Sequence, residues 1–134
     1  MRIAVVGIGV DRKGMPEYVK SLAKGMESMG HRVDILNALT ADGYSLPGYE
    51  YIAVCADAAW GGKTPEPLAK ILAAGSGLAG KKSAAFIRRK TPLFLNKSLV
   101  NLMKAMEREG MVVNWSDIIL SSPHAEALGK RIGA

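Results

Sequence analysis

A chain of 134 residues with 49% hydrophobic and 22% charged side chains suits one domain around one core, and is too apolar for an intrinsically disordered segment. A single cysteine, Cys55, excludes an internal disulfide, and no apolar run is long enough to span a bilayer. The formal net charge of +6 favours anionic ligands or partners, although lysines that simply solvate helix faces give the same balance.

The chain opens on a nearly unbroken apolar segment, Arg2 to Gly9, rich in β-branched residues, as expected of a central strand buried on both faces. Met1 leads straight into it with no signal peptide pattern, so a cytoplasmic location is expected. After the loop Val10-Asp11-Arg12-Lys13-Gly14-Met15, Pro16 opens a helical pattern at a position where proline's missing N–H costs nothing. Leu22 and Met26 form its inner stripe, and Lys20 and Lys24 face out. A loop that enters a helix N-terminus beyond a parallel strand offers unpaired N–H groups to an anion, so residues 10–15 are the first place to look for chemistry.

Gly30 is a natural stop for that helix, and His31 to Asn37 alternates polar and apolar residues like an edge or near-edge strand, with His31 expected to face solvent. Asp42-Gly43 and Pro47-Gly48 leave room for a loop with at most a short helical turn between Ala38 and Gly48. Tyr51 to Ala56 is again continuously apolar and predicts a central third strand, within which Cys55 reads as a buried, inert thiol. The loop Asp57 to Pro65 follows, with Thr64 placed to cap a helix from about Pro65 to Ala74 and Pro65 in its first turn.

Ser83 to Ile87 predicts a fourth strand, ending at Arg88-Arg89-Lys90. Beyond a loop with Pro92 and Phe94, Ser98 to Glu109 has the stripe of an amphipathic helix, with Leu99, Leu102, Met103 and Met106 inward and Gly110 as the stop. Met111 to Leu120 supplies a fifth strand, interrupted near Asn114 to Asp117, and Pro123 begins a last helix carrying Leu128 and Ile132. Strand and helix periods thus alternate, with the second crossover helix reduced, which argues for a parallel sheet covered on both faces.

In this order of elements the chain resembles the flavodoxin family over nearly its whole length. The resemblance rests on the Gly-rich end of the first strand, the short second crossover, Trp60-Gly61 after the third strand, Gly80-Lys81-Lys82 before the fourth, and the ending Ala127 to Ile132. It implies an α/β three-layer sandwich, a single domain over residues 1–134 with a five-stranded parallel sheet in the order 2-1-3-4-5. It also implies flavin mononucleotide (FMN) held by three loops, which fall here at Val10 to Met15, Asp57 to Lys63 and Arg88 to Asn96. By the same resemblance Ala58, Ala59, Trp60 and Gly61 belong to the second loop, and Arg88, Arg89 and Phe94 to the third. Trp60 matches the position of a ring that stacks on the isoalloxazine, and Phe94 lies in the loop that covers its other face. Both rings also suit plain core or rim packing.

Two features depart from the family. Its first loop is rich in Ser and Thr, whereas Val10 to Met15 contains no hydroxyl, so backbone N–H groups with Arg12 or Lys13 would have to hold a phosphate against the opposing Asp11. Electron-carrying flavodoxins are typically acidic, whereas Arg12, Lys13, Lys63, Arg88, Arg89 and Lys90 make this ligand edge basic, favouring a phosphorylated small molecule, a pyridine nucleotide or an acidic protein partner. Two functional readings follow. One is FMN binding with electron transfer, as a shuttle or a small NAD(P)H-dependent reductase with a redox partner protein and a dimer interface of the kind such reductases form. The other is a flavin-free module of the same fold that holds another anion or a protein.

Other chemistries fit poorly. His31 and His124 are far apart, and one cysteine makes a His/Cys metal site improbable. No G-x-S-x-G nucleophile elbow is present, and Gly7, Gly9 and Gly14 miss the dinucleotide-binding spacing. Asp57 follows the third strand as in phosphoacceptor domains, but the acidic pair such a domain needs after its first strand is reduced to Asp11. The lysines are spread over several helices without interleaved aromatics, which disfavours nucleic acid.

Overall fold

The apolar runs pair side by side as parallel strands. In a computed structural model that describes residues 1–9, 14–75, 77–90 and 92–132, β1 (Arg2–Gly7), β2 (Arg32–Asn37), β3 (Tyr51–Asp57), β4 (Lys82–Arg88) and β5 (Val112–Ile119) form one sheet. Its order is β2-β1-β3-β4-β5, with every pairing parallel. The helices are α1 (Glu17–Ser28), α2 (Glu66–Ala74), α3 (Leu95–Arg108) and α4 (Ser122–Arg131). Where a second crossover helix would stand there is only the 3-10 turn Gly43–Gly48, capped by the Asp42 carboxylate, which accepts from the Tyr44 N–H at 2.9 Å. The fold is the flavodoxin-like α/β sandwich.

Period-two alternation along the strands divides the core into two layers. Ala4, Val6, Ile52, Val54 and Ala85 pack against Leu68, Leu72, Leu102 and Met106 of α2 and α3. Ile3, Val5, Ala53, Cys55 and Phe86 pack against Leu22 and Met26 of α1, Leu128 of α4 and Ile132 just beyond it. β1, β3 and β4, flanked on both sides, are buried almost end to end, while the edge strands β2 and β5 are only partly covered.

Several local expectations are corrected. β5 is one unbroken strand; the irregularity near Asn114 is a β-bulge, at which the β4 partners step from Ser83↔Val113 to Ala84↔Trp115. The third helix starts at Leu95 rather than Ser98, because Phe94 takes a left-handed backbone (φ 60°) and its carbonyl accepts from the Ser98 N–H at 2.9 Å. Thr64 does not cap α2: the residue before the helix is Pro65, and no side chain bonds to the first turn. His31 is half-buried rather than solvated, with Nδ1 3.0 Å from the amine of Met1.

Candidate functional site

Parallel strands end on the same edge, and the crevice beyond the carboxyl ends of β1 and β3 is where consecutive crossovers leave in opposite directions. There the structure has a hollow of about 420 Å³. Ile8 and Gly9 form one wall, Ala56 to Ala59 another, Pro16 and Tyr18 close it from the start of α1, and Pro65 and Lys90 stand at the rim. Gly9 is fixed by Asn37, whose Oδ1 accepts from the N–H groups of Gly9 and Leu39, each at 3.0 Å. A side chain at Gly9 would displace that amide.

The β3–β4 register sets Asp57 beside Arg88. Arg88 reaches both carboxylate oxygens, Nε to Oδ1 at 2.7 Å and a terminal N–H donated to Oδ2 at 2.7 Å, and its guanidinium carbon lies 4.8 Å from the centre of the Tyr18 ring. Burial, reinforced by Cys55 and the Asp57 carboxylate, pushes the Tyr18 phenol well above its usual range, and burial does the same to the Cys55 thiol. Asp57 is therefore committed to Arg88, and Tyr18 and Cys55 stay protonated at neutral pH. Among the described residues, neither the paired Asp57 nor the buried Tyr18 and Cys55 is poised to act as an acid, base or thiolate here.

The aromatic rim is built separately. Trp60 sits in the 3-10 turn Trp60–Gly62, where Gly61 and Gly62 both have positive φ (73° and 75°), a conformation glycine adopts without strain. α3 holds this turn in two places: the Ser98 hydroxyl accepts from the Ala59 N–H at 3.2 Å, and the Asn101 amide donates to the Gly62 carbonyl at 2.6 Å. Trp60 is 80% exposed, and its ring meets Phe94 edge to face, with centroids 5.1 Å apart and planes at 70°. Phe94 thus touches Trp60 itself, and most of the indole remains open.

Val10, Asp11, Arg12 and Lys13 lie outside the described residues. Gly14 is exposed, while Met15 packs against the α1 layer. Ala58 and Ala59 line the hollow, Trp60 and Gly61 follow them in the next turn without lining it, and Phe94 meets Trp60. Arg88 is spent on Asp57, and Arg89 faces a smaller hollow of about 150 Å³ beside Ser121 and Ser122. Among the described residues, Lys90 is the cation that borders the larger one. Sequence reasoning missed Tyr18, Asn37, Ser98 and Asn101; the signal for the last two was their spacing, one turn apart at the start of an amphipathic helix. Among the described residues no cluster of three or more His, Cys, Asp or Glu side chains is placed to hold a metal, and no helix is long and apolar enough to cross a membrane.

No protein-family model matches the sequence, and none of the curated proteins does. Solved structures do. A flavodoxin from the domain Archaea is 20% identical with a TM-score of 0.72, covering 98% of this chain and 96% of its own. Flavodoxin 2 of Bacillus cereus is 14% identical with a TM-score of 0.74 over 96% and 95%. The flavodoxin of Streptococcus pneumonia TIGR4 is 14% identical with a TM-score of 0.73 over 97% and 96%. At these identities the likeness is one of fold.

Proposed function

We propose that the chain binds FMN at the carboxyl edge of the sheet and serves in electron transfer. The observation that carries this reading is the pairing of a hollow at the mouth of β1 and β3 with an open tryptophan on a turn that α3 clamps in place. The residues present suit the group. The first helical hydrogen bonds of α1 are donated by Val19 and Lys20 to Pro16, so the N–H groups of Glu17 and Tyr18 precede the ladder, beside the hollow that Pro16 and Tyr18 line. Those donors with Lys90 suit a phosphate, and the free face of Trp60 suits a planar ring. Bound FMN supplies the redox chemistry; the protein orients it and limits its contact with water.

The test is titration of FMN and riboflavin into the flavin-free protein, followed by flavin fluorescence. Micromolar binding of FMN, weakened about tenfold in Trp60→Ala through loss of ring contact, supports the proposal. Equal affinity for riboflavin would mean that the phosphate is not held. Absence of quenching by either would return the site to the second reading, a flavin-free anion module, which the hydroxyl-free segment from Val10 to Met15 favours.

A further inference from the structure

The opposite edge of the sheet has a hollow of its own. About 330 Å³ lies beyond the amino ends of β3, β4 and β5, bordered by Tyr51, Lys82, Asn114, Trp115, Arg131 and Ile132. The β-bulge creates it. Val113 packs on the α2/α3 layer and Trp115 on the α1/α4 layer, although two residues apart they would share a face in a regular strand. The extra residue at Asn114 takes up that change of parity and brings the indole over the α4 side, the re-aiming for which bulges are used beside binding sites.

The polar lining is one-sided. Asn114 Oδ1 is engaged by the Tyr51 hydroxyl at 2.7 Å, which leaves the amide nitrogen as the group Asn114 has to offer. Burial raises the Tyr51 phenol to about 12, so it remains a donor at neutral pH. Among the described residues neither Lys82 nor Arg131 has an acidic partner; Arg131 lies over Trp115, its guanidinium carbon 4.8 Å from the ring centre. Lys82, Arg131 and the Asn114 amide nitrogen thus border the space, and one lone pair of the Asn114 oxygen is already used. Trp115 and Ile132 add an apolar wall.

From this lining we infer a second ligand site, distinct from the flavin edge, for a small organic phosphate monoester whose dianion meets Lys82 and Arg131 and whose carbon portion rests on Trp115. Two cations with no carboxylate partner among the described residues match the charge of about −2 on such a group better than that of a single carboxylate. The volume is at the lower end of small-molecule pockets, roughly 300 to 1,000 Å³. The site does not depend on flavin binding, because it lies at the other end of the strands.

The experiment is an NMR titration of the ¹⁵N-labelled full chain with glycerol 3-phosphate, with citrate and sodium chloride at matched ionic strength as comparisons. The indole N–H of Trp115, buried in this wall without a hydrogen-bond partner among the described residues, is the reporter. A saturable shift with glycerol 3-phosphate, weakened about tenfold in Lys82→Gln and in Arg131→Gln, supports the site. A linear drift equal to that from sodium chloride overturns it, as does tighter binding of citrate or an undiminished response in Lys82→Gln. Lys82 is exposed, so its variant keeps the fold and decides the matter even where Arg131→Gln does not.

Discussion

Asn101 and Ser98 do for Trp60 what a ligand-binding loop needs and a turn of glycines cannot do for itself. Gly61 and Gly62 give the backbone its left-handed path, but they add no side chain to hold it, and Trp60 is 80% exposed. Order therefore comes from α3, through the bonds to the Ala59 N–H and the Gly62 carbonyl and through Lys97, whose stem lies against Gly62. Removing the amide in Asn101→Ala should cost only about 1 kcal/mol of stability, the usual net worth of one hydrogen bond. It should nevertheless lower Trp60 fluorescence anisotropy and weaken FMN several-fold, because the ring would then have to be ordered on binding. A chemical denaturation curve, an anisotropy measurement and a titration separate these effects; unchanged anisotropy would assign the rigidity of the turn to its packing alone. Arg88 illustrates a limit of reading at this scale. In sequence it stands in a basic run at a loop edge and looks free for an anion, yet the sheet register puts Asp57 beside it and both charges are absorbed.

At the scale of elements, α1 and α4 pack closely enough to bring backbone against backbone. They cross at Gly25 and Gly129: a Cβ on Gly25 would press on the Glu126 carbonyl and lie 3.1 Å from the Gly129 Cα, and one on Gly129 would meet the Leu22 carbonyl and lie 3.0 Å from the Met26 nitrogen. The obstructing atoms are backbone, so the helices must separate. Although alanine is the better helix former by about 1 kcal/mol, Gly129→Ala should destabilise the protein by a net 1 to 3 kcal/mol through overpacking. Thermal melting of that variant checks it, with Gly80→Ala as a control whose added methyl meets open space but strains a φ of 79°. Such contacts were invisible in the sequence, where Gly25 stands as one more residue in a helical run. What was legible were the elements themselves, because the apolar periods of β1, β3 and α3 are long and unambiguous. The break expected in β5 was legible too, but as a bulge, since Tyr51 and β4 hold the strand together across a point that local pattern reads as a gap.

For the molecule as a whole, strand order and layers followed from alternation and burial, whereas the candidate site depended on pairs distant in the chain, such as Ser98 with Ala59 and Asn37 with Gly9. Global stability depends in the same way on groups that only the assembled sheet brings under cover. β3 is the middle of the five strands, and it carries Tyr51 near its start and Cys55 near its end, both buried on the α1/α4 layer. Burial raises the Tyr51 phenol from 10.0 to about 12 and raises the Cys55 thiol above its ordinary 9.0. The folded state therefore keeps protons that the unfolded chain gives up, so ν_N exceeds ν_U and stability falls as pH rises. The stabilisation is complete below pH 9, begins to fail as the unfolded thiol ionises, and is lost further as pH passes 10 towards 12. Each such proton contributes a slope of about 1.4 kcal/mol per pH unit. Urea unfolding at pH 8, 9.5 and 10.5 should show this decline, and Cys55→Ala should remove one proton's share of the slope between pH 9 and 10.5. An unchanged slope in that variant would show that the thiol ionises within the fold. A thiol reagent gives an independent reading: its reaction with Cys55 should track the unfolded fraction, since the native strand presents no thiolate to attack.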